Sequence, residues 1–154
     1  MFGKDKILNL CMEALSASQF VVDVKINNAN DIFVYIDDFE GLTIEECRRI
    51  NHYIESGLNR EEEDFSLEVS SPGLSNPFKV KEQYTKNLNK KIEIITTDGE
   101  KIEGFLIEIS ENFIVIENSV IKKINNKKQE VKEQHKLEFV NIKTAKNIIS
   151  FNKI

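Results

Sequence analysis

The sequence predicts an α+β chain built as two units, an N-terminal αββαβ domain over residues 1–76 and a C-terminal small antiparallel β-barrel over 77–154. Three observations carry this. Two stretches in the first half place apolar residues at helical spacing. Alternation of apolar and polar residues marks strands around the second of these stretches and through most of the second half. Between the halves, Ser71-Pro72-Gly73-Leu74-Ser75-Asn76-Pro77 breaks the pattern and holds both prolines of the chain, which sets the boundary near 75–80.

Each element has a local reason. Ile7, Leu8, Cys11, Ala14 and Leu15 predict an amphipathic helix over 4–18. Phe20, Val22, Val24 and Ile26 alternate with Asp23 and Lys25, and Ile32–Asp37 forms a second strand. Asn27-Asn28-Ala29-Asn30-Asp31 turns the chain between them, because Asn and Asp tolerate left-handed backbone. Thr43-Ile44-Glu45-Glu46 is a capping box for a helix over 44–56, with Cys47, Ile50, Asn51, Ile54 and Leu58 on one face. Gly57 is expected to end that helix in a left-handed cap. Phe65, Leu67 and Val69 make a third strand. Pro72-Gly73 suits the centre of a type II turn, which would put Gly73 at positive φ and make it hard to replace. A short helix is expected over 79–87.

The second half reads as five short strands. Ile92, Ile94 and Ile95 precede Asp98-Gly99, a hairpin signal, and Ile102–Ile109 follows it. Phe113–Ile116 is next, then a polar, Lys-rich loop. Lys136–Val140 and Ala145–Phe151 complete the set, joined by a tight turn at Asn141-Ile142. A closed barrel of such strands would leave no free sheet edge.

Composition narrows the function. With 40% hydrophobic and 31% charged residues, the chain can bury a core and remain soluble. No apolar run approaches the ~18 residues needed to span a bilayer, so no membrane partner is expected. Met1–Lys6 leads into a helix without a small-residue cleavage site, and a cytoplasmic location is expected. Residues 1–78 hold 6 Lys/Arg against 15 Asp/Glu, a balance of −9, whereas residues 79–154 hold 15 Lys against 11 Asp/Glu, a balance of +4. Such asymmetry points to two regions facing different partners.

Catalytic and metal chemistry find little support. Cys11 and Cys47 lie on apolar helix faces and read as buried thiols. There is no Cys-x-x-Cys, and His52 and His135 are far apart, so no metal is expected. Asp37, Asp38 and Glu40 precede a helix N-terminus, where negative charge is favoured, and lack calcium-loop spacing. Glu61-Glu62-Glu63-Asp64 is either a solvated loop or a docking strip for a basic protein. No nucleophile motif is present, and Gly99-x4-Gly104 lacks the Lys-Ser/Thr of a phosphate loop, so neither a cofactor nor an enzyme is expected. Lys122, Lys123, Lys127, Lys128, Lys132 and Lys136 fall within fifteen residues, against only Glu130 and Glu133. They form either a solvated hairpin tip or a phosphate-facing surface that binds by releasing counterions. No aromatic residue lies among them, so base stacking is not expected there.

The string Phe65-Ser66-Leu67-Glu68-Val69-Ser70-Ser71-Pro72-Gly73-Leu74, followed by Pro77, closely resembles the signature of the bacterial ribosome maturation factor RimP family. Val34-Tyr35-Ile36-Asp37, Gly41-Leu42-Thr43, Glu46-Cys47 and Asn141–Lys146 resemble other segments of that family in order. The resemblance implies an αββαβ domain followed by an Sm-like barrel, and a non-enzymatic protein. It further implies binding to immature small (30S) ribosomal subunits and 16S rRNA, help in folding the central pseudoknot, and addition of a basic small-subunit ribosomal protein. On this reading Ser70, Ser71, Pro72, Gly73, Leu74 and Pro77 form the domain-junction turn. The six lysines face RNA, and Asp37, Asp38, Glu61, Glu62 and Glu63 face the ribosomal protein. The chain departs from the family where Ser75-Asn76 replaces the usual Asp-Arg and where Phe65 replaces Tyr. It also lacks the Asp-x-x-x-Asn loop of Sm proteins, so no uridine pocket is carried over. The alternative is an Sm-like RNA-binding regulator acting as a ring. A monomer is expected instead, because several copies would crowd like charges.

Overall fold

The computed structural model describes residues 2–61 and 63–148. Helix α1 (Lys4–Ala14) buries Ile7, Cys11 and Ala14, positions that share one helical face. It stops at Ala14 rather than at residue 18. There Arg49 Nη1 donates to the Ala14 carbonyl at 2.8 Å, and the Ser16 amide donates to Gln19 Oε1 at 2.9 Å, turning the chain into the first strand.

Strands β1 (Gln19–Ile26) and β2 (Asp31–Asp38) form the expected antiparallel hairpin. Asn27 Oδ1 accepts from the Ala29 and Asp31 amides at 3.0 and 2.9 Å, and Asn30 takes a φ of 63°. Helix α2 (Ile44–Ser56) has the expected bounds. The Thr43 hydroxyl accepts from the Glu46 amide at 3.2 Å. The Glu46 carboxylate does not return to Thr43; it accepts from Gln19 Nε2 and Arg49 Nε, both at 2.8 Å. This links α2 to the start of β1, and the Arg49 hydrogen bond, then that of Gln19, holds the Glu46 carboxyl below its usual range. Strand β3 (Ser66–Ser70) pairs parallel to β2, with α2 in the crossover, and the sheet order is β1-β2-β3. The helices cover a core of Val24, Ile32, Val34, Ile36, Ile50, Ile54 and Phe65, among others. Each fully buried Ile contributes about 1.5–3 kcal/mol.

Two glycine expectations fail, because neither Gly57 nor Gly73 takes a left-handed backbone. Gly57 has φ −87°, not a left-handed value. A Cβ there would meet Leu10 Cδ2 at 2.5 Å, so the end of α2 is glycine because α1 packs against it. Gly73 is not among the positive-φ residues. The turn is displaced by two residues, with the Asn76 amide donating to the Gly73 carbonyl at 3.0 Å. The chain divides into two compact units between Pro72 and Gly73.

In the second unit, helix α3 (Lys81–Lys86) presents Tyr84 edge-on to Phe78 and Phe139, with ring centroids 5.0 and 5.3 Å away. Strands β4 (Lys91–Thr96) and β5 (Lys101–Ile109) form the Asp98-Gly99 hairpin. The Gly99 amide donates to the Thr96 carbonyl at 2.9 Å, and Gly99 has φ +88°, a turn followed by a left-handed residue. Strands β6 (Phe113–Ile124), β7 (Lys127–Glu138) and β8 (Ile142–Asn147) complete an antiparallel sheet of order β7-β6-β5-β4-β8. Its core is Tyr84, Ile92, Ile94, Ile102, Leu106, Ile114, Ile116 and Ala145.

Three expectations change here. The sheet does not close among the described residues: β7 and β8 are its edges. A 3-10 turn (Phe139–Asn141) stands where a strand was expected to run to Val140. The strand expected over 145–151 is β8, which starts earlier, at Ile142, and ends at Asn147; Ile148 is outside it, and positions 149–151 lie outside the described residues. The largest change is the Lys-rich loop. It is no loop, but the distal part of a continuous hairpin in which Phe113–Ile124 pairs with Lys127–Glu138 without interruption.

Gly104, in β5, lies tight against β6. A Cβ there would lie 2.6 Å from both the Glu117 carbonyl oxygen and Ile116 Cγ2. Backbone cannot give way as the end of a side chain can. Gly104→Ala is therefore expected to cost about 1–3 kcal/mol and to lower the melting temperature of the C-terminal unit. Gly73→Ala, whose nearest neighbour is the flexible Asn76 side chain at 3.0 Å, should change it little. Calorimetry of the two variants checks this; equal, small effects would contradict it.

Candidate nucleic-acid interface

The last fully buried residue on the β6–β7 hairpin is Ile116. Beyond it the two strands continue as a ribbon in which every residue from 121 to 130 is exposed. The ribbon closes in a two-residue turn, Asn125-Asn126, with φ of 51° and 64°. Positive φ at both positions matches the right-handed twist of the flanking strands, and Asn adopts it more readily than most residues. Residues 121–129 hold four lysines and no acid.

Successive side chains on a strand point to opposite faces, and the register fixes which lysines share a face. Ile116 and Ile114 pair with His135 and Leu137 on the face that continues from the core. Counting outward, Lys122, Ile124 and Lys127 lie on that face. Lys123, Lys128, Lys132 and Lys136 lie on the other, with Ile121. Contacts agree with this count. Lys122 Nζ meets Glu133 at 2.7 Å, and Asn118 Oδ1 lies 3.2 Å from His135 Nε2, all on the core-side face. Lys132 Nζ lies 3.9 Å from Glu117, and Lys136 Nζ lies 4.2 Å from the Phe113 ring centroid, both on the outer face.

The six lysines therefore do not make one patch. From the tip pair Ile124–Lys127 down to Lys136 the ribbon covers about 30 Å at ~3.3 Å per residue. Lys136 is at its base, held over an aromatic ring. Lys123, Lys127 and Lys128 have no ion pair among the described residues. Lys123 stands directly opposite Lys128, a like-charge pairing that works against the ribbon. The Lys122 hydrogen bond, and then its charge, hold the Glu133 carboxyl below its usual range. That pair contributes above the ordinary carboxylate pKa and is lost as pH falls through the lowered one. Lys122 is exposed and Glu133 half-buried, so Lys122 can exchange its partner at little cost.

The acidic candidates are dispersed too. Asp37 is half-buried and accepts from the Asp38 amide at 2.9 Å. Asp38 is buried, and its carboxylate accepts from the Glu40 amide at 2.9 Å, shaping the turn that leads to α2. Glu61 is exposed, Glu63 is half-buried, and Glu62 lies outside the described residues. In the junction string, Ser70 ends β3; Gly73, Leu74 and Pro77 are exposed, Leu74 to 64%.

The thiols are poor nucleophiles. Burial pushes Cys11 up to about 11, and burial with the Glu46 charge raises Cys47, so both remain protonated near neutral pH. Among the described residues, no three His, Cys, Asp or Glu side chains are grouped to hold a metal. No helix there is long and apolar enough to cross a membrane.

Because Lys123 and Lys128 oppose each other, Lys128→Glu should strengthen the ribbon by about 0.2–1 kcal/mol while weakening its attraction for phosphate. Cross-strand NOEs and amide exchange across the tip report the first effect, and RNA affinity reports the second. A variant that loosened the ribbon would contradict the register.

A family model described as the RimP N-terminal domain matches residues 8–75. A ribosome maturation factor RimP of Flavobacterium psychrophilum is 36% identical over 155 residues, covering 98% of this chain and 100% of that protein. Those of Christiangramia forsetii and Porphyromonas gingivalis are each 33% identical over 152 residues, covering 96% and 97% of this chain and 99% and 100% of theirs. With such identity along nearly its whole length, this chain belongs to the ribosome maturation factor RimP family.

Proposed function

We propose that this chain is a non-enzymatic assembly factor that acts as a monomer in the cytoplasm on immature small ribosomal subunits. On this reading it binds 16S rRNA, helps the central pseudoknot to fold, and assists the addition of a basic ribosomal protein. The observation that carries the proposal is the division of charge within a member of this family, −9 over residues 1–78 and +4 over residues 79–154. Four lysines without an acid at the tip of an exposed ribbon suit a phosphate backbone. The acidic unit suits a basic protein. Opposite potentials steer each region to its partner and penalise the reversed pose.

The geometry sharpens the candidate residues. Among the described residues of the N-terminal set, Glu61 is the exposed carboxylate, and Glu63 and Asp37, half-buried, rank after it. Asp38 is withdrawn into its turn and is a shaping residue. On the ribbon, the tip lysines Lys122, Lys123, Lys127 and Lys128 take the RNA-facing role. Lys132 contributes from further down, and Lys136 least.

In a sucrose gradient of cell lysate, the protein is expected with free small subunits and their precursors. Equal abundance across polysomes would sink the proposal. Glu61→Gln with Glu63→Gln should leave rRNA binding unchanged and weaken the isolated contact with the basic ribosomal protein, by less than about fivefold per charge. Binding of the purified variant to each partner separates the two effects.

A further inference from the structure

The two faces of the ribbon tip carry the same set of groups. Lys122, Lys127 and Ile124 are on one, and Lys123, Lys128 and Ile121 on the other, by the register of β6 on β7. Ile121 is 75% exposed and Ile124 41%, so neither face is covered within the chain. A ribbon lying flat on an RNA surface would use one face. Its other lysines would then meet no phosphate, Lys122 keeping only Glu133 at 2.7 Å.

We propose that the ribbon inserts between two phosphate backbones, with Lys122 and Lys127 meeting one and Lys123 and Lys128 the other. This rests on the RNA-facing reading above and adds the shape of its target. A two-stranded ribbon fits a groove about 12 Å wide, as in B-form DNA. The major groove of an unbroken A-form RNA helix is too narrow for it. The target is therefore a gap between separate RNA strands, as at a helical junction or an incompletely paired region, and not the groove of a continuous duplex. Such gaps exist before an RNA is fully folded and close as it folds. Insertion by the ribbon is then tied to the unfinished state of the RNA.

The experiment measures affinity across a salt series for a small-subunit rRNA transcript. It uses wild type, Lys122→Ser/Lys127→Ser, Lys123→Ser/Lys128→Ser and the quadruple variant. Each lost phosphate contact lowers the slope of log K against log salt by roughly 0.7–0.9. Both double variants are expected to flatten the slope by roughly 1.5, and the quadruple variant by about twice that. Lys→Arg at the same four positions keeps the charge and should keep the slope, which separates lost contacts from a disturbed ribbon. If one double variant flattens the slope and the other does not, the ribbon lies flat; the insertion fails while the RNA-facing reading stands. If neither double nor quadruple changes it, the RNA-facing reading fails as well. An unbroken RNA duplex should compete weakly against a three-way junction RNA with the same base pairs, and equal competition would overturn the gap as the target.

Discussion

One register, Phe113 on Glu138 through to Ile124 on Lys127, sets both ends of the second unit. At the base it points Ile114 and Ile116 into the core, where both are fully buried. At the tip the same count decides which lysines face the same way. A slip of β6 by one residue would expose the isoleucines and move Lys122 and Lys123 to the opposite faces. The register is therefore specified by burial at one end and inherited at the other, where nothing is buried. Gly104, on β5, fixes how β6 lies against its other neighbour, because only a residue without Cβ lets the Glu117 carbonyl and Ile116 approach that closely. The Asn125-Asn126 turn closes the ribbon with the backbone that a two-residue hairpin requires.

The first unit follows a different logic, with a covered sheet and few free groups. Arg49 holds Glu46 and also caps the last carbonyl of α1. Arg60 lies 4.1 Å over Phe65 and reaches Glu55 and Asp64. Both arginines are paired with acids of their own unit, so the acids outside these clusters carry its surplus charge. The contrast between an anchored acidic unit and a projecting basic ribbon is the physical basis of the proposed two-partner role.

Much of the first unit was legible because its elements are half-buried and therefore periodic. Thr43 and Gly57 bracketed α2 correctly, although Gly57 ends the helix for packing and not for a left-handed cap. A hairpin tip was one reading of the Lys-rich stretch, but the long strands that lead to it were not legible because both of their faces are solvated, which removes the alternation that marks a strand. The ribbon's signal was Asn125-Asn126, two adjacent residues tolerant of positive φ between equal lysine-bearing arms. The pairing of the lysines by face needs the register, and no count along the sequence supplies it. Gly73 drew attention through its neighbour Pro72. Gly104 looked ordinary, because a close approach between strands is a tertiary fact; a lone glycine inside a strand was the available hint. Barrel closure was inferred from strand number, which does not decide whether the last edges meet.

The central claim is that the ribbon tip, and not the acidic unit, lies against small-subunit RNA. Hydroxyl radicals generated from an iron chelate tethered at a single cysteine test it most directly, using Gln129→Cys at the tip and Glu61→Cys on the N-terminal unit, each in a Cys47→Ala background. Bound to immature small subunits, the tip position is expected to cleave rRNA at two backbone sites distant in sequence, and the Glu61 position to cleave weakly or not at all. Cleavage from Glu61 with none from the tip would contradict the account.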